Sequence, residues 1–102
     1  MKVILLGLSH HTAPVEVRER AAIPEACLPE SLNSLRLQSG AEEALILSTC
    51  NRVEVMAAMP EGSSESQLKG FLAAQQGLEA SWLEPYLYRY EDERAIRHVF
   101  RV

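Results

Sequence analysis

The sequence has no apolar run near the roughly 18–20 residues that a membrane span requires. Its first apolar stretch, Lys2-Val3-Ile4-Leu5-Leu6-Gly7-Leu8, carries one basic residue and no small-residue cleavage site after it. It therefore reads as a first strand and not as a signal peptide. Cysteine is scarce: Cys27 and Cys50 are the only two. That number excludes a disulfide framework and points to a reducing compartment, with the cytoplasm as the default. The five glycines are scattered and form no G-x-G-x-x-G, so no dinucleotide site is expected within these residues. No C-x-x-C or H-x-x-x-H spacing occurs either, and no metal is expected. A net charge of −4 with dispersed basic residues (Arg18, Arg20, Arg36, Arg52, Arg89, Arg94, Arg97 and Arg101) argues against this chain gripping nucleic acid alone. Any nucleic-acid ligand would have to be held mostly by other parts of a larger protein.

What remains is ordinary for a globular protein: 47% apolar and 24% charged residues over 102 positions. That length fits one small domain, residues 1–102, with one modest core. Val3 to Leu8 is a buried-strand candidate. Thr12 is placed to cap a short helix, with Pro14 in its first turn and Glu16 near the positive end. Leu28, Leu32 and Leu35 follow helical spacing up to Gly40, a left-handed stop. Ala44 to Thr49 is a second apolar strand, and Val53, Val55 and Ala57 alternate with Arg52, Glu54 and Met56 as in a half-exposed third.

Beyond the Pro60–Ser63 loop, Ser64 and Gln67 have capping-box spacing, and Leu68, Phe71 and Leu72 form a helical stripe ending near Gly77. Ser81 to Glu84 suggests a single turn and Leu87 to Tyr90 a short strand. Asp92 then caps a helix carrying Ala95, Ile96, Val99 and Phe100. The order β-α-α-β-β-α-β-α predicts an α+β fold: a small two-layer sandwich, ferredoxin-like, with helices on one face of a mainly antiparallel sheet. The last stripe is still periodic at Val102 with no stop signal, so the helix is expected to continue and the chain to be a fragment of something longer.

Cys50 ends an apolar strand, where the backbone turns and a side chain can be rigidly held yet exposed. Arg52, two residues on, falls on the same side if the backbone stays extended. Only a few per cent of a free thiol is thiolate at neutral pH, and a nearby guanidinium raises that share. Asn51 and the backbone N–H groups of the turn could donate to an oxyanion. The bland alternative is that Cys50 merely packs, as free cysteines often do. Cys27, at a helix start among Leu28, Leu32 and Leu35, is expected to pack. His10 and His11 are adjacent and cannot both chelate one ion from a regular strand, though His10 or Ser9 could line a pocket after the first strand. His98 borders the last helix's apolar stripe, as either a hydrogen-bonded structural histidine or a proton donor or base. Trp82, Tyr86, Tyr88 and Tyr90 read as packing groups and not as a base-stacking platform.

Three segments together resemble one family. Gly7-Leu8-Ser9-His10-His11-Thr12-Ala13-Pro14-Val15-Glu16-Val17-Arg18-Glu19 is similar to the opening signature of glutamyl-tRNA reductases. Ser48-Thr49-Cys50-Asn51-Arg52-Val53-Glu54-Val55 resembles their active-site segment. Tyr90-Glu91-Asp92 with Ala95, His98 and Phe100-Arg101-Val102 resembles the helix entering their next conserved stretch. The resemblance implies the N-terminal catalytic domain of an enzyme that makes glutamate-1-semialdehyde from glutamyl-tRNA and NADPH, the entry step of tetrapyrrole synthesis. It implies that Cys50 attacks the aminoacyl ester to leave a thioester, and that Thr49, Cys50, Asn51 and Arg52 bind substrate, Arg52 pairing with a carboxylate of the glutamyl group. His98 matches a histidine the family needs for activity, as a proton relay. NADPH-binding and dimerisation domains are implied outside this chain, so reduction is not expected from it alone. A homodimer and a downstream aminomutase are the implied partners. One departure is Ser9, where many members carry Asn. Two competitors stand beside this reading: a self-contained cysteine acyltransferase or hydrolase, needing His98 or His10 against the sulfur, and a small regulatory or binding domain with a structural Cys50.

Overall fold

The computed structural model describes residues 1–101. In chain order the elements are β1 (Lys2–Ser9), α1 (Val15–Ala21), α2 (Leu28–Ser39), β2 (Glu43–Ser48), β3 (Arg52–Met59), α3 (Ser66–Gln75), α4 (Ala80–Leu83), β4 (Tyr88–Glu91) and α5 (Asp92–Arg101). All strand pairs are antiparallel, in the order β2-β3-β1-β4. Sequence neighbours β2 and β3 form a hairpin, while β1 is inserted between β3 and β4. This is the split βαβ arrangement of ferredoxin-like folds, and the α+β expectation holds. Gly40 stops α2 with φ of 70°, the left-handed geometry expected of it.

Strand alternation sorts the side chains into two faces. Ile4, Leu6 and Leu8 of β1 lie opposite Ala57, Val55 and Val53 of β3. They form the core with Val17 of α1, Leu35 of α2 and Leu68, Phe71 and Leu72 of α3. Each such large side chain, fully buried, stabilises the fold by roughly 1.5–3 kcal/mol. The other face carries Leu5, Gly7 and Ser9, opposite Met56, Glu54 and Arg52. Here the structure departs from the expected one-sided helical layer. The last helix, α5, follows β4 without a loop and lies across this second face, with Ala95 buried and Val99 sharing a cavity with Leu5, Glu54 and Met56. For that reason β3 is less exposed than alternation alone suggests: Glu54 is only 3% accessible.

Local signals differ in three places. Thr12 does not cap α1; its hydroxyl accepts from the Ser9 N–H at 3.0 Å and tightens the exit from β1. Ser64 and Gln67 form no capping box, since α3 starts after Glu65 and has no side-chain cap. Asp92 turns the chain with φ of 49°, and its carboxylate accepts from the Val3 N–H at 3.0 Å instead of capping α5. On α5, Ile96 and Phe100 are exposed, leaving Ala95, His98 and Val99 as the inward stripe. The expected last member, Val102, lies outside the described residues.

Gly7 sits where a side chain has no room. A Cβ there would come within 2.7 Å of both Glu54 Cγ and the Val53 carbonyl oxygen. The second contact is backbone and cannot swing away. Gly7→Ala should therefore cost about 1–3 kcal/mol of stability, as overpacking does, read from chemical denaturation midpoints. An unchanged midpoint would show that the two strands separate without strain.

Candidate functional site

Gly7 faces Glu54 on β3 and Tyr88 on β4 in one register row across three strands. With no side chain between them, the Tyr88 hydroxyl reaches over β1 and donates to Glu54 Oε2. Two more groups converge on that oxygen: Arg52 Nη1 at 3.3 Å and His98 Nε2 at 2.6 Å. A buried carboxylate is costly unless paired and hydrogen-bonded, and here three donors surround it. A carboxylate oxygen only accepts, so His98 donates from Nε2 and keeps Nδ1 as the nitrogen able to take a proton. Tyr88 and Tyr90 flank the imidazole, with ring centroids at 5.5 and 4.8 Å. Burial first, and the Glu54 hydrogen bond and charge second, push the Tyr88 phenol well above its ordinary value.

Next to this cluster is a cavity of about 530 Å³, lined by Leu5, His10, Leu45, Leu47, Thr49, Asn51, Arg52, Glu54, Met56 and Val99. Its walls are apolar with a few polar groups at one end, the usual make-up of a small-ligand site. That polar end is the β2–β3 turn. Thr49 N–H donates to the Arg52 carbonyl at 2.8 Å, and Thr49 Oγ1 accepts from the N–H groups of Asn51 and Arg52 at 3.2 Å each. The threonine hydroxyl thus holds the turn in shape. It also occupies two of the N–H groups expected for an oxyanion, which leaves the Cys50 N–H and the exposed Asn51 side chain as the donors to consider.

Cys50 sits at the tip of this turn between two cavity-lining residues, free and exposed. It does not pack, so the structural reading of this cysteine is overturned. Arg52 turns inward to Glu54, with 18% of its side chain accessible. The guanidinium that touches Cys50 directly belongs to another residue, Arg18 of α1, whose Nε donates to the Cys50 carbonyl oxygen at 3.2 Å. Its Nη1 also holds the Ala13 carbonyl at 2.9 Å, tying α1 to the turn. The β1 exit is tied in as well, since His10 N–H donates to the Asn51 carbonyl at 2.8 Å.

The remaining expectations fall out unevenly. His10 lines the cavity, while buried Ser9 lines a smaller cleft with Arg52, Tyr88 and His98. Cys27 is exposed and not packed, because it lies in a short 3₁₀ turn ahead of α2 that contributes no buried residue to the core. Among the described residues, neither His10 nor His98 hydrogen-bonds the Cys50 sulfur, which disfavours a self-contained cysteine–histidine hydrolase. No group of three or more His, Cys, Asp or Glu side chains is placed to hold a metal among the described residues. Sequence reasoning missed Glu54, Tyr88 and Arg18. The available signal was Gly7, because a glycine inside a strand marks a close approach from a neighbour.

Comparison with known proteins gives the chain a family and supports its fold. A family model described as "Glutamyl-tRNAGlu reductase, N-terminal domain" matches residues 6–102. The chain is 46% identical over 102 residues to "Glutamyl-tRNA reductase 2" of Koribacter versatilis, covering all of this chain and 23% of that protein. It is 45% identical over 102 residues to a glutamyl-tRNA reductase of Herpetosiphon aurantiacus, covering 24% of it. The solved structure of glutamyl-tRNA reductase from Methanopyrus kandleri superposes with a TM-score of 0.67 at 25% identity, over 98% of this chain and 21% of that one. The chain thus spans about a quarter of the length of these curated relatives.

Two outcomes follow from the carboxylate cluster. Glu54→Ala leaves three inward donors without their acceptor and should destabilise the fold by about 3 kcal/mol, measured by denaturant unfolding. On alkaline titration, Tyr88 holds its proton better folded than unfolded. Its contribution is therefore complete below the ordinary phenol value of about 10 and is lost progressively as pH rises from there through the higher folded value. Tyrosinate absorbance should show one of the three tyrosines resisting ionisation while the fold persists, and Tyr88→Phe should remove that fraction.

Proposed function

The chain belongs to the glutamyl-tRNA reductase N-terminal domain family, and from that membership we propose that it accepts the glutamyl group of glutamyl-tRNA on Cys50. The Cys50 thiolate adds to the ester carbonyl carbon, forming a carbon–sulfur bond. The ester bond to the terminal ribose then breaks, the ribose oxygen takes the proton that the thiol gave up, and a thioester remains. The observation that carries this reading is an exposed cysteine at the tip of a rigid turn, between two residues that line an apolar cavity of about 530 Å³ with a guanidinium at its polar end.

Each neighbour then has a task. Arg52 commits one N–H to Glu54, and its planar fork has further donors for a carboxylate of the glutamyl group. Glu54 keeps that fork from swinging to solvent. Leu45, Leu47 and Met56 cover the methylene carbons, while Asn51 is the donor proposed for the developing oxyanion. Thr49 shapes the turn and borders the substrate. His98, with Nε2 held by Glu54, has Nδ1 for carrying the proton between the thiol and the departing ribose oxygen. His10 completes the cavity wall, and Ser9 that of the adjoining smaller cleft.

NADPH supplies the hydride that turns a thioester into an aldehyde. Glycines at 7, 40, 62, 70 and 77 are too widely spaced for a phosphate-binding loop, so these residues do not fit the dinucleotide and its binding is proposed for a separate domain. The product, glutamate-1-semialdehyde for tetrapyrrole synthesis, and a dimeric enzyme handing it to an aminomutase belong to the same proposal. No helix among the described residues is long and apolar enough to cross a membrane.

Incubation with glutamyl-tRNA followed by intact-mass spectrometry tests the assignment. The glutamyl adduct should be lost in Cys50→Ser and kept in Cys27→Ser; an adduct in both variants would remove Cys50 from its role. Arg52→Lys should slow adduct formation by about tenfold or more, because a lysine cannot make the two parallel bonds of the fork. A rate equal to the parent's would mean that another residue holds the carboxylate.

A further inference from the structure

The substrate cavity does not end at Arg52. A cleft lined by Ser9, His11, Thr12, Arg52, Tyr88, Tyr90 and His98 shares Arg52 with it. A second cleft of about 300 Å³, lined by Tyr90, Arg94, Arg97, His98 and Arg101, shares Tyr90 and His98 with the first. The three form one track, from the apolar cavity past the imidazole to three arginines. In the linear sequence these arginines look dispersed; at spacings of three and four residues on α5 they share one helix face. This overturns the expectation that the chain has no clustered basic residues.

The cleft's electrostatics suit a polyanion. Arg94 lies over the Tyr90 ring at 5.4 Å, which fixes its guanidinium beside the track. Among the described residues, Arg97 alone of the three is paired with a carboxylate, Glu93 at 3.2 Å, and both partners are exposed. Such a pair is weak in water and exchanges readily for a phosphate.

The geometry points to the arginine cleft as the docking site for the phosphodiester backbone at the 3′ end of the aminoacyl-tRNA. This rests on the reading of Cys50 as the acyl acceptor. With the glutamyl group in the cavity at Arg52, its ester lies at the border of the middle cleft. The terminal ribose then passes His98, and the next phosphates reach Arg94, Arg97 and Arg101. The terminal ribose hydroxyl is the leaving group, so the arginines hold what departs, and His98 stands between the two.

The test compares two glutamyl donors on Arg94→Gln/Arg97→Gln/Arg101→Gln, whose altered side chains are all exposed. One donor is glutamyl-tRNA below saturation; the other is a glutamate α-thioester of a small thiol, which has no phosphates. Acylation of Cys50 by glutamyl-tRNA should fall at least tenfold, and its salt dependence should flatten by about 2 in log–log slope, as loss of three phosphate contacts on a single strand implies. Acylation by the small thioester should be unchanged. Equal loss with both donors, or an unchanged rate and slope with glutamyl-tRNA, would overturn the proposal. If neither donor acylates the parent, the reading of Cys50 fails separately. The cleft is then judged by fluorescence anisotropy with a labelled single-stranded RNA ending in CCA, which the triple variant should bind more weakly. Equal binding, or displacement of that RNA by NADPH, would reassign the cleft.

Discussion

One carboxylate oxygen, Glu54 Oε2, holds the second face of the sheet together. It sits on the strand next to β1 and accepts from β4 through Tyr88, from its own strand through Arg52 and from α5 through His98. Gly7 makes this possible by leaving the space that the Glu54–Tyr88 bond crosses. In a low-dielectric setting such a network is stable only when its members are satisfied together. The groups that face the cavity are therefore set by partners behind them, and the geometry at its surface depends on a bond beneath it.

The two faces of the sheet do different work. One is a plain apolar core under α1, α2 and α3, and it provides rigidity. The other is polar at its centre, partly covered by α5, and open along a track that runs from the β2–β3 turn to the arginines. Cys50 projects from a three-residue turn, Thr49 to Asn51, that is pinned by Thr49 itself, His10 and Arg18. A nucleophile needs that combination of exposure and fixed position, because reaction depends on near-contact geometry more than on average proximity.

Much of this was legible from residue order. Alternation and helical spacing placed every strand and the longer helices to within a few residues, and the Ser48–Arg52 segment marked the turn. Glu54 was not legible. On β3 it alternates with Val53 and Val55, a pattern that puts it on the solvent side, and it is buried only because α5 arrives from far along the chain. Tyr88 joins it across an intervening strand, which periodicity cannot report. Arg18 lies 32 residues from Cys50, too far for spacing to link them, and Cys27 reads as a core residue only because Leu32 and Leu35, further along α2, pack there. Two signals were present and went unused: a glycine inside β1, and arginines spaced along one helix face.

The orientation of the His98 ring is where these claims meet, since its Nε2 can face Glu54 only if the carboxylate cluster exists as described. Long-range nitrogen–proton correlation NMR on a sample labelled at histidine reads which ring nitrogen carries the proton. Nε2 of His98 should be protonated, and in Glu54→Gln the ring should lose that fixed preference. A His98 with bare Nε2 in the parent protein would contradict the account.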